Sequence, residues 1–189
     1  MSDVAALYLS ELRERLRGTR QLGDRALAQL PDDAWHTVLA PGGNSAAVIV
    51  QHLAGNLRSR WGGLQSGYRE GVEGETPGRD RDAEFEDAHL SAADLLTCWD
   101  EGWQVFLDAL DHLRPDDLTQ TLTIRGEAHT VLGAVERAAL HASGHVFQLI
   151  FLVKTLRGAD FQTISIPRGG SGAYNAAMRG GTAREQQGP

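Results

Sequence analysis

Cysteine occurs once, at Cys98, so no disulfide can close within the chain and no cysteine-based zinc knuckle is available. That usage fits a reducing cytoplasm, where thiols stay free. Lysine is as scarce: Lys154 is the only one among 18 basic residues, a bias of composition rather than a functional signature. A formal charge of −7 does not suit a protein that grips nucleic acid through a broad basic surface. No run of 18 apolar residues occurs, and the opening stretch MSDVAALYLSELRERLR acquires charge too early for a secretion signal. A Ser-His-Asp order, a phosphate loop and a dinucleotide-binding fingerprint are all missing as well. The expectation is a soluble cytoplasmic protein with neither nucleic acid nor membrane as partner. Its 189 residues, 41% hydrophobic and 23% charged, suit one globular domain.

What the chain does contain is helical periodicity, in four long stretches. The first, about Val4 to Leu30, spaces Leu9, Leu12, Leu16, Leu22, Leu27 and Leu30 among Arg and Glu, and Pro31 ends it. The second starts after Asn44 or Ser45 as N-cap and carries the stripe Val50, Leu53, Leu57, Trp61 and Leu64. GYREGVEGETPGRDRDAEFED is too polar and glycine-rich for a core element and predicts a long ordered connection. The third runs from Ser91, as N-cap, to His112 with Leu95, Trp99, Trp103, Phe106 and Leu110 on one side. Leu122 and Ile124 then alternate with threonines before the turn RGE, which predicts a short hairpin. The fourth, about Thr130 to Leu156, has the seam Val131, Val135, Ala138, Ala142, His145, Leu149, Leu152 and Leu156. The pattern predicts an all-α fold: a four-helix bundle with a long crossover connection, a β-hairpin before the last long helix and an extended C-terminal tail. Residues 1–175 read as one domain, and 176–189 as a polar tail that frays.

The stretch LHASGHVFQLI places His141 and His145 four apart on an apolar helix, so their imidazoles fall on nearly the same line. A pair of core histidines bonded to backbone or buried water is the bland reading. Two within one turn, flanked by the small residues Ala142, Ser143 and Gly144, favour a shared metal ion, because space is left beside them. A third ligand is needed. His36 and His89 lie in or beside polar loops, His129 at a turn, and His112 reads as a favourable charge at a helix C-terminus. His52 sits inside the second helix with Gly55, Asn56 and Ser59 on its own side, where a bundle can open a pocket. The triad is therefore His52, His141 and His145.

The segments NSAAVIVQHLAGNLRSRW, RDAEFED, LHASGHVFQLIFLVK and SIPRGGSGAYN occur in this order. Together they resemble the DinB-like superfamily and, within it, the DUF1572 branch, across roughly residues 40 to 175. The resemblance implies a four-helix bundle that binds a divalent metal through one histidine of the second helix and an H-x-x-x-H pair on a later one. Those positions are filled here by His52, His141 and His145. It also implies, from wider relatives, transferase or isomerase chemistry with low-molecular-weight thiols such as bacillithiol or mycothiol.

Three neutral imidazoles leave a bound dication its full charge and open coordination positions, which favours an anionic further ligand. Zinc, nickel, iron and copper all suit such donors. Coordination deprotonates a thiol, and brings bound water to a pKa near ~7. The leading expectation is a transferase that activates a small thiol toward a small-molecule electrophile. A hydrolase using metal-bound hydroxide is the second, and a non-catalytic stress-response or binding module with a structural metal is the third. Asn56, Gln148 and Glu101 are the candidates to assist, and Arg60 and Arg81 to hold an anionic substrate group, although each equally suits a solvated or packing role. Cys98, next to Trp99 and after Leu95 and Leu96, reads as a small buried hydrophobe rather than a nucleophile. Tyr174 and Asn175 of the tail are candidates to fold over the pocket or to reach a second subunit, and a homodimer formed through helices is expected.

Overall fold

Every helix expected from periodicity is present. The computed structural model describes residues 2–180 and contains α1 (Ser2–Leu27), α2 (Ala46–Trp61), α3 (Ala92–His112), β1 (Thr121–Ile124), β2 (Glu127–Thr130), α4 (Val131–Arg157) and α5 (Ser171–Arg179). Three helices begin where a hydroxyl side chain can take up an otherwise orphaned backbone N–H. Ser45 accepts from Val48 N at 3.2 Å, Ser91 from Asp94 N at 3.1 Å and Thr130 from Gly133 N at 3.0 Å. Each such cap contributes about 1 kcal/mol.

The four long helices pack as an all-α bundle, α2 mainly against α3, α1 mainly against α4, with α2 also reaching α4. The core is built from the anticipated stripes: Leu53, Leu57 and Trp61 of α2, Trp99, Trp103 and Phe106 of α3, and Val135, Ala142 and Leu149 of α4 are all buried. On α4 the stripe differs at two points. Leu156, at its end, is only partly buried. Val146 is fully buried, and His145, expected in the seam, is only half-buried beside it. An ideal helix advances 3.6 residues per turn, so an alternating four-three seam drifts, and here it drifts by one residue. The drift moves His145 from the packed core to the edge of the α2–α4 groove.

β1 and β2 pair antiparallel, Thr121 with Thr130 through Ile124 with Glu127. Their two-residue turn, Arg125 and Gly126, has positive φ at both positions, 55° and 77°, as the tightest hairpin turns require. Leu122 and Ile124 point inward. The connection between α2 and α3 is ordered along this hairpin: Gly74 N donates to Thr123 O at 2.6 Å and Thr123 N to Val72 O at 3.2 Å. It then makes a single 3-10 turn, Ala83–Phe85, against α2.

By length and composition α4 is apolar enough to cross a membrane, a property shared by the core helix of a bundle. After it, residues 161–162 dock on the end of α1, where Gln162 N donates to Gln29 Oε1 at 2.7 Å. The tail is more regular than expected: α5 carries SGAYNAAMR as a helix through Arg179, with most of its residues exposed. Residues 181–189, within the segment expected to fray, lie outside the described residues.

Candidate metal centre

His52 is in the second turn of α2, buried to 3% exposure, and α4 brings His141 and His145 against it. Nε2 of His141 lies 3.2 Å from Nε2 of His52 and 3.2 Å from Nε2 of His145. All three candidate ligand atoms fall within 4.8 Å of one another. Nitrogens bound to one tetrahedral zinc ion at ~2.0–2.1 Å stand about 3.3 Å apart, so this spacing is what a shared ion requires.

The tautomers follow from the outer nitrogens. His52 Nδ1 donates to Glu84 Oε2 at 3.0 Å, and His145 Nδ1 to Gln148 Oε1 at 2.8 Å. Each of these rings therefore turns an Nε2 lone pair toward His141. His141 Nδ1 is buried without a hydrogen-bond partner among the described residues. A proton on His141 Nε2 can serve only one of the facing lone pairs well, and a proton on Nδ1 leaves three lone pairs converging. Either arrangement leaves a polar atom unsatisfied, a cost that a cation between the rings reduces. Burial, reinforced by His145 and His52, pushes His141 down to about 4. Burial, then His52, also lowers His145. At neutral pH these imidazoles are thus in the uncharged form that ligates. The residues present fit a divalent metal.

Two parts of this arrangement were not recognised in the sequence. The first is Glu84. Burial alone would raise its carboxyl, but hydrogen bonds from His52 and Arg79 overcome that and hold it below the usual range. Arg79 clamps it with two bonds, Nε to Oε1 at 2.7 Å and Nη2 to Oε2 at 2.6 Å. The next residue, Phe85, lies over the His52 ring with centroids 4.3 Å apart, and the Arg81 guanidinium covers Phe85 in turn. The segment RDAEFED that carries the resemblance therefore fixes His52 from two sides: a hydrogen bond orients the ring and an aromatic face confines it. The second is Arg137, one turn before His141, which lines the adjoining cavity.

Gly55 makes room for Glu84: a Cβ there would stand 2.5 Å from Glu84 Oε1 and 2.7 Å from its Cδ. Gly55→Ala should therefore push the carboxylate off His52 while leaving the bundle folded, because the obstructing atoms end a flexible side chain. Losing a partner of this kind weakens metal binding about 10–100-fold. Competition with a chromogenic chelator measures it, and unchanged affinity would show that Glu84 does not position His52.

The other expected site residues divide. Asn56, Arg60 and Arg81 line a cavity of about 200 Å³ that opens beside His52 and His141. Gln148 holds His145 as described. Glu101 is not brought to the site: it is exposed on α3 and pairs with Arg58 at 3.1 Å. Helical period placed it on a polar face, and that face turns to solvent rather than to α4. Cys98 is a half-buried free thiol outside the histidine cluster. Tyr174 and Asn175 are not among the residues that line the cavity. His112 closes α3 as expected, its Nδ1 donating to Asp108 O at 2.8 Å.

A second grouping, His36, Asp87 and His89, also gathers potential ligand atoms. Both ring nitrogens of His36 are already engaged, Nδ1 with the Asp87 carboxylate at 2.8 Å and Nε2 with Leu90 O at 3.2 Å. That ring has no free nitrogen to offer, so the grouping reads as a loop clasp.

The profile of a family described as a protein of unknown function, DUF1572, matches residues 3–170, nearly the whole described chain. The chain belongs to the DUF1572 family. No curated protein and no solved structure matches it. In this DUF1572 chain the matched span includes all three histidines, Glu84, and the arginines around the cavity.

Proposed function

We propose that this DUF1572 protein is a DinB-like metal-binding protein that holds one divalent ion with His52, His141 and His145 and uses it to activate a low-molecular-weight thiol for transfer to an electrophile. The observation that carries this reading is the convergence of three Nε2 atoms, that of His141 at 3.2 Å from each of the other two, which are oriented by Glu84 and Gln148. A divalent ion bound there supplies Lewis acidity that favours the anionic form of a coordinated thiol.

The chain's own groups do the rest. Glu84 and Gln148 fix two ring tautomers, so the lone pairs already point to a common place and need no reorganisation. The half-buried setting of His141 and His145 beside buried Ala142 and Val146 limits water around the centre. Asn56, one turn from His52 on the cavity wall, offers an amide that can hold a substrate. Glu101 has no part in this proposal.

Two measurements test it. Elemental analysis of protein purified without added metal should find about one divalent ion per chain, and protein that stays empty after reconstitution would refute the reading. The consumption of a chlorodinitrobenzene-type electrophile should then depend on added bacillithiol, mycothiol or glutathione. Turnover that ignores the thiol would point to hydrolysis instead.

A further inference from the structure

In a chain of formal charge −7, five arginines line one cavity: Arg60, Arg79, Arg81, Arg125 and Arg137. Among the described residues, no aspartate or glutamate lines it with them. The carboxylates that pair with them balance them unevenly. Glu75 takes Arg125 at 2.6 Å and Arg79 at 3.2 Å, Glu84 takes Arg79, and Arg81 pairs with Asp82 at 3.3 Å. Arg60 is left with Glu75 at the long distance of 3.5 Å, and its Nη1 is buried without a partner among the described residues. Arg137 has no carboxylate partner among the described residues. Burial pulls Arg60 below the ordinary guanidinium value despite Glu75, and Arg125, Arg79 and Arg137 add to the pull. Such crowding of cations is costly unless an anion joins them.

The placement has a direction. On α2, His52, Asn56 and Arg60 follow at steps of one turn, so Arg60 lies ~12 Å along the helix from His52. On α4, Arg137 precedes His141 by one turn, ~6 Å. The same wall carries the apolar side chains Trp61, Leu122, Ile124 and Ala138. The cavity thus runs from the histidines to Arg60 and Arg137 along a wall that is partly apolar. We propose that it is an oxyanion subsite, taking a small molecule whose carboxylate or phosphate group is held by Arg60 and Arg137 and whose apolar segment lies on Leu122 and Ile124. This deepens the proposed function by naming the substrate class, and rests on it only for what happens at the histidine end. Arginine suits the role because its planar fork meets both oxygens of a carboxylate or phosphate. A volume of about 200 Å³ selects a small molecule.

The test is calorimetric titration of the full chain, metal-free and zinc-loaded, with inorganic phosphate and separately with hexanoate. Metal content is measured on the same samples. At least one anion should bind, and Arg137→Gln and Arg60→Gln should each weaken it by about tenfold or more, the effect of removing a charge-assisted hydrogen bond. Arg25→Gln, on the exposed end of α1, should leave binding unchanged. Arg137 is exposed, so its variant tests the proposal even where Arg60→Gln does not fold. Tighter phosphate binding assigns a phosphate group, and tighter hexanoate binding a carboxylate with its apolar tail. If neither anion binds, or if Arg137→Gln binds like the wild type, the subsite is overturned. Such a result with full metal content would leave the metal centre untouched. Anion binding by a chain that never takes up metal would separate the two the other way.

Discussion

His141→Ala should abolish metal binding while the chain stays folded. His141 is the hub of the cluster: its Nε2 is 3.2 Å from both other Nε2 atoms, whereas His52 and His145 each have an outer partner that remains when one ring is lost. Structural zinc sites with four protein ligands bind with ~10–16 kcal/mol, so one ligand carries roughly 3–4 kcal/mol. With only three protein ligands to begin with, the loss is expected to be about a hundred- to a thousandfold. Elemental analysis should fall from about one ion per chain to none, and circular dichroism should keep its helical signal. The metal-free variant should lose less stability than a comparable core truncation, because the same substitution removes a buried ring nitrogen that has no partner. A His141→Ala chain that holds its ion with wild-type affinity would remove these histidines as the centre.

Gly102→Val should be the most damaging single change to the fold. Gly102 is buried on α3 where that helix lies against α2, and a Cβ there would stand 2.7 Å from Ala54 Cα and 3.1 Å from Ala54 Cβ. The obstruction is backbone, which cannot rotate away, so the helices must separate along their most extensive contact. Overpacking of this kind costs about 3 kcal/mol, and valine adds branches beyond the Cβ. For a chain of this length that lowers Tm by roughly 6–12 °C. Gly144→Ala is the matched control. A Cβ at Gly144 meets nothing within 4 Å, and replacing an exposed helical glycine should stabilise by about 0.5–1 kcal/mol. Thermal melts of the two variants decide the point: if Gly102→Val melts with the wild type, the α2–α3 approach is not as close as described.

The helices were legible because their cause is local. A 3.6-residue period, a hydroxyl before each of α2, α3 and α4, and the alternation over β1 all act within a few residues. The histidine triad was legible for a related reason: spacing put His141 and His145 on one line, and small neighbours marked a pocket beside His52. Azimuth was not legible. Period shows that a helix has two faces but not which neighbour each meets. Hence Glu101 was assigned to a site it turns away from, and His145 to a seam that Val146 fills. Glu84 was hidden for a different reason. Its partner lies 32 residues away, and a carboxylate in a polar, glycine-rich connection looks like any solvated one until the chain folds back. Arg137 was hidden because an arginine on the outer face of an amphipathic helix is what solvent exposure alone would select.

The connection between α2 and α3 has a consequence for how fast the proposed ion would come and go. It supplies Glu84 and Phe85 to His52 and is itself tied down by arginine–carboxylate pairs and a few backbone bonds, such as Thr76 N to Ser59 O at 3.1 Å, rather than by a buried apolar stripe. Segments held in this way open at lower free energy than the helices they join. One wall of the centre can therefore swing out while the bundle remains intact. Residence time of the proposed ion should then follow the local breathing of that segment, and salt should change it little, because the Arg79 pairs with Glu75 and Glu84 are too buried to be screened strongly.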